Sequence, residues 1–129
     1  MAKADQQFSP VYTNNRWEFE FQVVDEDDPA EPPLSIAGHT IYFALTRFNS
    51  RGQPIVGSPL LDFNSVDDPS VVMITNAAQG QGIVILPASI TIDVPPKDYY
   101  LEIEDKDASG NPVVVSTGTL PVLPNVVNS

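Results

Sequence analysis

One histidine, His39, and a surplus of carboxylates are the side chains from which this chain could build a reaction centre. A histidine that activates a serine needs a hydroxyl on one side and a carboxylate on the other, and no Gly-x-Ser-x-Gly turn presents such a serine. His39 follows Gly38 just ahead of an apolar alternation and reads as an ordinary loop residue. Cysteine is absent, which removes thiolate nucleophiles, cysteine-type zinc sites and disulfides together. Two carboxylates can cleave a glycosidic bond, but only at a set separation in a cleft, and positions along a loop do not supply one. No catalytic residue and no cofactor site are expected.

A cation site has weak candidates in Asp25, Asp27 and Asp28, with Asp67 and Asp68 in a later loop. Calcium takes six to eight oxygens, often from carboxylates on adjacent loops. The EF-hand spacing fails, because no glycine and closing glutamate follow the acidic run at the required distances. A solvated loop rich in charge and proline is the simpler expectation for residues 25–33.

The whole chain has 129 residues, about the size of one domain. Its 6 basic and 17 acidic residues give a formal net charge of −11. Phosphate contacts require clustered Lys and Arg, and here Lys3, Arg16, Arg47, Arg51, Lys97 and Lys106 are scattered, so nucleic acid is not an expected partner. No stretch approaches the ~20 apolar residues of a membrane span, and the N-terminus lacks the apolar run of a secretory signal, so no membrane partner is expected.

Thirteen prolines and seven glycines break the apolar residues into short segments, which favours strands over long helices. The clearest segment is Trp17 to Val23, with Trp17, Phe19, Phe21 and Val23 on one face and Glu18, Glu20 and Gln22 on the other. Further strands are expected over 40–47, 59–63, 71–75, 83–86, 99–104 and 113–123. Ile41, Phe43 and Leu45 face inward in the second, and Tyr99, Leu101 and Ile103 in the sixth. A single helical turn is expected near 87–91, and a bulge near Gly118, where the apolar phase of the last strand shifts. These seven strands fit an all-β, two-sheet antiparallel sandwich spanning 17–123, with a closed barrel as the alternative. Residues 1–16 read as an N-terminal extension and 124–129 as a C-terminal tail. Tyr99 and Tyr100 follow the Pro95–Pro96 corner, where a tyrosine hydroxyl commonly pins the backbone of a sandwich.

Several segments resemble those of a known class of small structural modules. From Pro33 to Leu45 a proline-rich acidic loop leads through a Leu-x-Gly-like turn into an alternating strand. Gly82 to Thr91 is similar to the strand and crossover of those modules, Tyr99 to Glu104 to their penultimate strand, and Gly118 to Val122 to their closing Gly-x-Leu-x-Val. Together these cover about residues 17–123 and resemble the immunoglobulin-like domain of the phage baseplate upper protein and related tail or head-fibre modules. The likeness departs at His39, where an aromatic is usual, and at Pro96 to Asp98, where a Pro-Gly turn is usual. It implies a seven-strand antiparallel immunoglobulin-like sandwich, assembled in the host cytoplasm and carried in the virion. There it would act through contacts with other virion proteins and as a homo-oligomer. A carbohydrate-binding or adhesion sandwich is the alternative. If alternate loops share an end, the acidic loops around 25–31, 67–68 and 93–98 should form one negative pole, opposite a near-neutral one.

Overall fold

The computed structural model describes residues 6–126, and its core is made by alternation. Along Trp17–Gln22, Trp17, Phe19 and Phe21 are buried while Glu18 and Glu20 are exposed, as a half-buried strand requires. The same rule buries Ile41, Phe43 and Leu45 in Thr40–Arg47, and Tyr99, Leu101 and Ile103 in Lys97–Lys106. In chain order the strands are β1 (Gln6–Gln7), β2 (Val11–Tyr12), β3 (Trp17–Gln22), β4 (Thr40–Arg47), β5 (Leu61–Asn64), β6 (Val72–Asn76), β7 (Gln81–Leu86), β8 (Lys97–Lys106) and β9 (Pro112–Leu123). A one-turn helix, α1 (Ala88–Thr91), lies between β7 and β8.

Two sheets form, in the orders β3–β7–β6 and β9–β8–β4–β5, with β1 and β2 both paired to the free side of β9. A closed barrel is therefore excluded. The expectation of seven antiparallel strands needs correction. The described residues hold nine strands, and the larger sheet is mixed, because β1 and β2 run parallel to β9. Residues 6–16, read above as part of an extension, are built into the sandwich. Phe8 packs edge-on against Phe19, and the Trp17 Nε1–H donates to the Tyr12 carbonyl at 2.8 Å. Two-residue strands show no periodicity, so only the tertiary partner reveals them.

The bulge in β9 also moves. Ile103 faces Ser116 but Glu104 faces Val114, so the extra residue is Val115, not a residue at Gly118. Thr117 disguises the phase. It pairs with Glu102 on the outer face, yet it is buried there by its hydroxyl contact with Tyr100.

Loop placement follows from the pairings. The Ile36 N–H donates to the Ala77 carbonyl and His39 reaches Asp105, so the β3–β4 connection, the β6–β7 turn and the β8–β9 hairpin share one pole. The β4–β5 and β7–β8 connections lie at the other, where the Thr13 hydroxyl donates to the Thr91 and Val94 carbonyls. β5 and β6 run in the same sense in different sheets, so residues 65–71 travel along the sandwich instead of turning back. That corrects the alternate-loop grouping. Asp25 to Glu31 sit at the pole opposite Asp93 and Asp98, and Asp67 and Asp68 lie on the flank between the sheets. One pole is still strongly acidic, because Asp25, Glu26, Asp27, Asp28, Glu31, Asp105 and Asp107 outweigh Lys106, whereas Arg47, Arg51 and Lys97 offset Asp93 and Asp98 at the other.

Candidate functional site

The outer face of the larger sheet carries an open concavity with an apolar lip. Its floor is set by strand register. Tyr42 pairs with Glu104, Ala44 with Glu102 and Thr46 with Tyr100, so these six outward side chains form a block two strands wide. The β4–β5 connection then folds over the block. The Ile55 N–H donates to the Arg47 carbonyl at 2.9 Å, the Thr46 hydroxyl donates to the Ile55 carbonyl at 2.7 Å, and the Leu60 N–H donates to the Leu45 carbonyl at 2.7 Å. A tight turn holds the far end: the Asn49 side-chain oxygen accepts from the N–H groups of Arg51 and Gln53. The result is an open groove of about 460 Å³ lipped by Ile55, Val56 and Pro59, with Val56 94% exposed.

Polar groups are fixed within it. Phe48 packs edge-on against the Tyr100 ring, and the Tyr100 and Thr117 hydroxyls are in contact. The Lys106 ammonium sits over the Tyr42 ring, 5.1 Å from its centre, so that ring face is already covered. Glu102 lies opposite Ala44, whose small side chain leaves the carboxylate in a recess. Burial, and then repulsion from Glu104, raise the Glu102 carboxyl above the usual carboxylate range.

That shift fixes a pH dependence. The folded chain holds the Glu102 proton more tightly than the unfolded chain does. The resulting stabilisation is present below the unfolded value and is lost as pH rises through the folded one. Glu102→Gln is therefore expected to raise the melting temperature at pH 7 and leave it unchanged at pH 3. Solvent screening of the half-exposed group keeps the gain small. Thermal melts at the two pH values check this, and an equal effect at both would contradict it.

Elsewhere the candidate residues have structural tasks. The His39 Nδ1–H donates to both oxygens of Asp105, at 2.9 and 3.0 Å, and Asp105 is buried at the end of β8. Among the described residues no hydroxyl joins this pair as a nucleophile would. The imidazole ties the β3–β4 connection to the sheet and satisfies a carboxylate that would otherwise be costly to bury. His39 is thus more than the ordinary loop residue expected. The signal was out of reach in the sequence, because Asp105 becomes its neighbour only through β4–β8 pairing. The Tyr99 hydroxyl donates to the Pro95 carbonyl at 2.6 Å, so the expected corner forms. Burial raises the Tyr99 hydroxyl above its usual range, with Arg47 opposing.

The acidic candidates fold onto their own backbone. Asp25 accepts from the Asp27 N–H at 3.1 Å and Asp28 from the Ala30 N–H at 3.0 Å. Asp68 accepts from the Asn64 N–H, and Asp67 from the Asn64 side-chain amide. Asp25, Asp27 and Asp28 are thus separated from Asp67 and Asp68, and the described residues hold no group of three or more His, Asp or Glu arranged to bind a metal. No helix among them is long and apolar enough to cross a membrane. In comparisons with known proteins, no family model and no curated protein sequence matches the chain.

Proposed function

We propose that this chain is an immunoglobulin-like module that serves as a structural component of a tailed-phage particle, in its baseplate, tail or a head fibre, working through protein–protein contacts. The observation that carries the protein-binding part is the open groove on β4 and β8. It has apolar lips and a floor of paired strands. Connectivity supports the immunoglobulin-like assignment. Sheet β3–β7–β6 has the neighbour pattern of strands B, E and D, and β9–β8–β4–β5 that of G, F, C and C′. The Tyr99 corner, at the start of the penultimate strand, supports it as well. Two features depart from the antibody pattern: the buried tryptophan stands on β3, the B-like strand, and no cysteine pair joins the sheets.

The placement in a phage rests on the resemblance of Pro33 to Leu45, Gly82 to Thr91, Tyr99 to Glu104 and Gly118 to Val122. Self-association into a ring or trimer belongs to the same reading. Carbohydrate binding is the weaker alternative, because sugars stack on open aromatic faces and the Tyr42 face is covered by Lys106. The test is mass spectrometry of gradient-purified tailed particles made from the genome that encodes the chain. The protein is expected at a fixed copy number that matches a ring or trimer; its loss on purification would overturn the reading.

A further inference from the structure

Two carboxylates, Glu102 and Glu104, line the groove. Glu102 and Glu104 stand two residues apart on one face of β8, roughly 7 Å along the strand. Among the described residues neither has a basic group within salt-bridge reach, since the ion pairs there are Arg16–Glu18 and His39–Asp105. The nearest cation on the same strand face, Lys106, is engaged with the Tyr42 ring. At the acidic pole, by contrast, Asp25 and Asp28 have backbone donors and face water. A pair of like charges in a half-buried, largely apolar groove is unfavourable in the free protein, and an incoming cation relieves it.

We propose that the groove receives an arginine side chain presented by an extended segment of another protein, its guanidinium between Glu102 and Glu104 and its stem along Ile55, Val56 and Pro59. A guanidinium carries a fork of donors able to serve two carboxylates, and its weak hydration lowers the cost of entering a partly apolar site. The apolar lip suits the stem, which buries its methylenes while the head stays polar. Charge favours a different chain as the donor. A second copy brings a formal charge of −11 and only scattered basic residues, whereas a basic segment is attracted from a distance. The inference rests on the reading of the chain as a protein-binding virion module, and names the chemistry of one partner.

The test is an NMR titration of the isotope-labelled full chain at pH 7 and low salt. The probe is a capped pentapeptide of sequence Thr-Val-Arg-Val-Thr, compared with the same peptide carrying citrulline, which keeps the shape of arginine and drops its charge. Saturable shifts are expected at Ala44, Thr46, Ile55, Val56 and Gly57. Binding should weaken about tenfold with citrulline and about tenfold in Glu102→Gln, while Asp27→Asn at the acidic pole leaves it unchanged. Glu102→Gln should also be no less stable than the parent at pH 7, so its loss of binding is not a loss of fold. The proposal is overturned if the citrulline peptide binds equally well, if no saturable shift occurs, or if the shifts fall at residues 25–31. It is also overturned if groove signals move with protein concentration alone, which would make a second copy the occupant. Failure here leaves the particle-composition result standing, and absence from particles leaves the titration interpretable.

Discussion

Replacing Phe19 with alanine is expected to cost about 3–5 kcal/mol of folding stability, and Glu18→Ala, one residue away, less than about 0.5 kcal/mol. Phe19 is where the two sheets and the N-terminal segment meet. Its ring stacks on Phe43 of β4, with centroids 6.1 Å apart and planes 19° from parallel, and takes the edge of Phe8 at 6.2 Å. Removing it leaves a cavity bounded by both rings, which rigid strands cannot collapse to fill. Glu18 points to water, and its exposed pair with Arg16, at 2.9 Å, contributes little. Denaturant unfolding of the two variants measures the contrast. Comparable losses would mean that the β3 faces are not divided as described.

Gly80→Ala is expected to cost about 3 kcal/mol or more, although the change adds only one methyl group. Gly80 ends the 3-10 turn Ala77–Gln79 with φ at +68°, a conformation that already disfavours an alanine. The backbone around it leaves no space. An added Cβ would lie 2.7 Å from the Val23 carbonyl oxygen and would also collide with that of Leu34. These carbonyls cannot retreat easily, because the Val23 N–H donates to the Gly80 carbonyl at 2.8 Å and the Leu34 N–H to the Val23 carbonyl at 3.0 Å. Gly110 supplies the control. It also has positive φ, at +86°, but open space where a Cβ would go. Gly110→Ala should therefore show only the conformational cost, about 1 kcal/mol. Equal losses at the two sites, measured by denaturant unfolding, would remove the steric argument.

Period-two patterning made the interior legible. The bounds of β4 and the inward faces of β3, β4 and β8 follow from Trp17 to Val23, Thr40 to Arg47 and Tyr99 to Ile103, because each strand has one wet and one dry side. The same alternation turned Tyr42, Ala44, Thr46, Tyr100, Glu102 and Glu104 outward. It could not show that they pair across β4 and β8, or that Ile55 to Pro59 would overhang them. Both depend on long-range register and on loop hydrogen bonds such as that from Thr46 to Ile55. His39–Asp105 was hidden for the same reason. The loop grouping failed on one connection: residues 65–71 change sheets without reversing direction, and no local residue pattern announces that.

The parallel pairing of Gln6–Gln7 and Val11–Tyr12 with β9 has an entropic side. It joins segments more than 100 residues apart, so among the pairings of the described residues it carries the largest loop-closure entropy. Its strands are two residues long, which places it at the low-free-energy end of local opening. Without residues 6–12, β9 would be a bare sheet edge and Phe19 would lose its Phe8 cover. The same segment of a second copy can restore every one of those contacts with no new interface to evolve. The pairing that closes the longest loop is therefore also the one whose opening would bare a sheet edge, and exchange of residues 6–12 at β9 would let copies of this acidic chain associate without bringing the carboxylate-rich poles together.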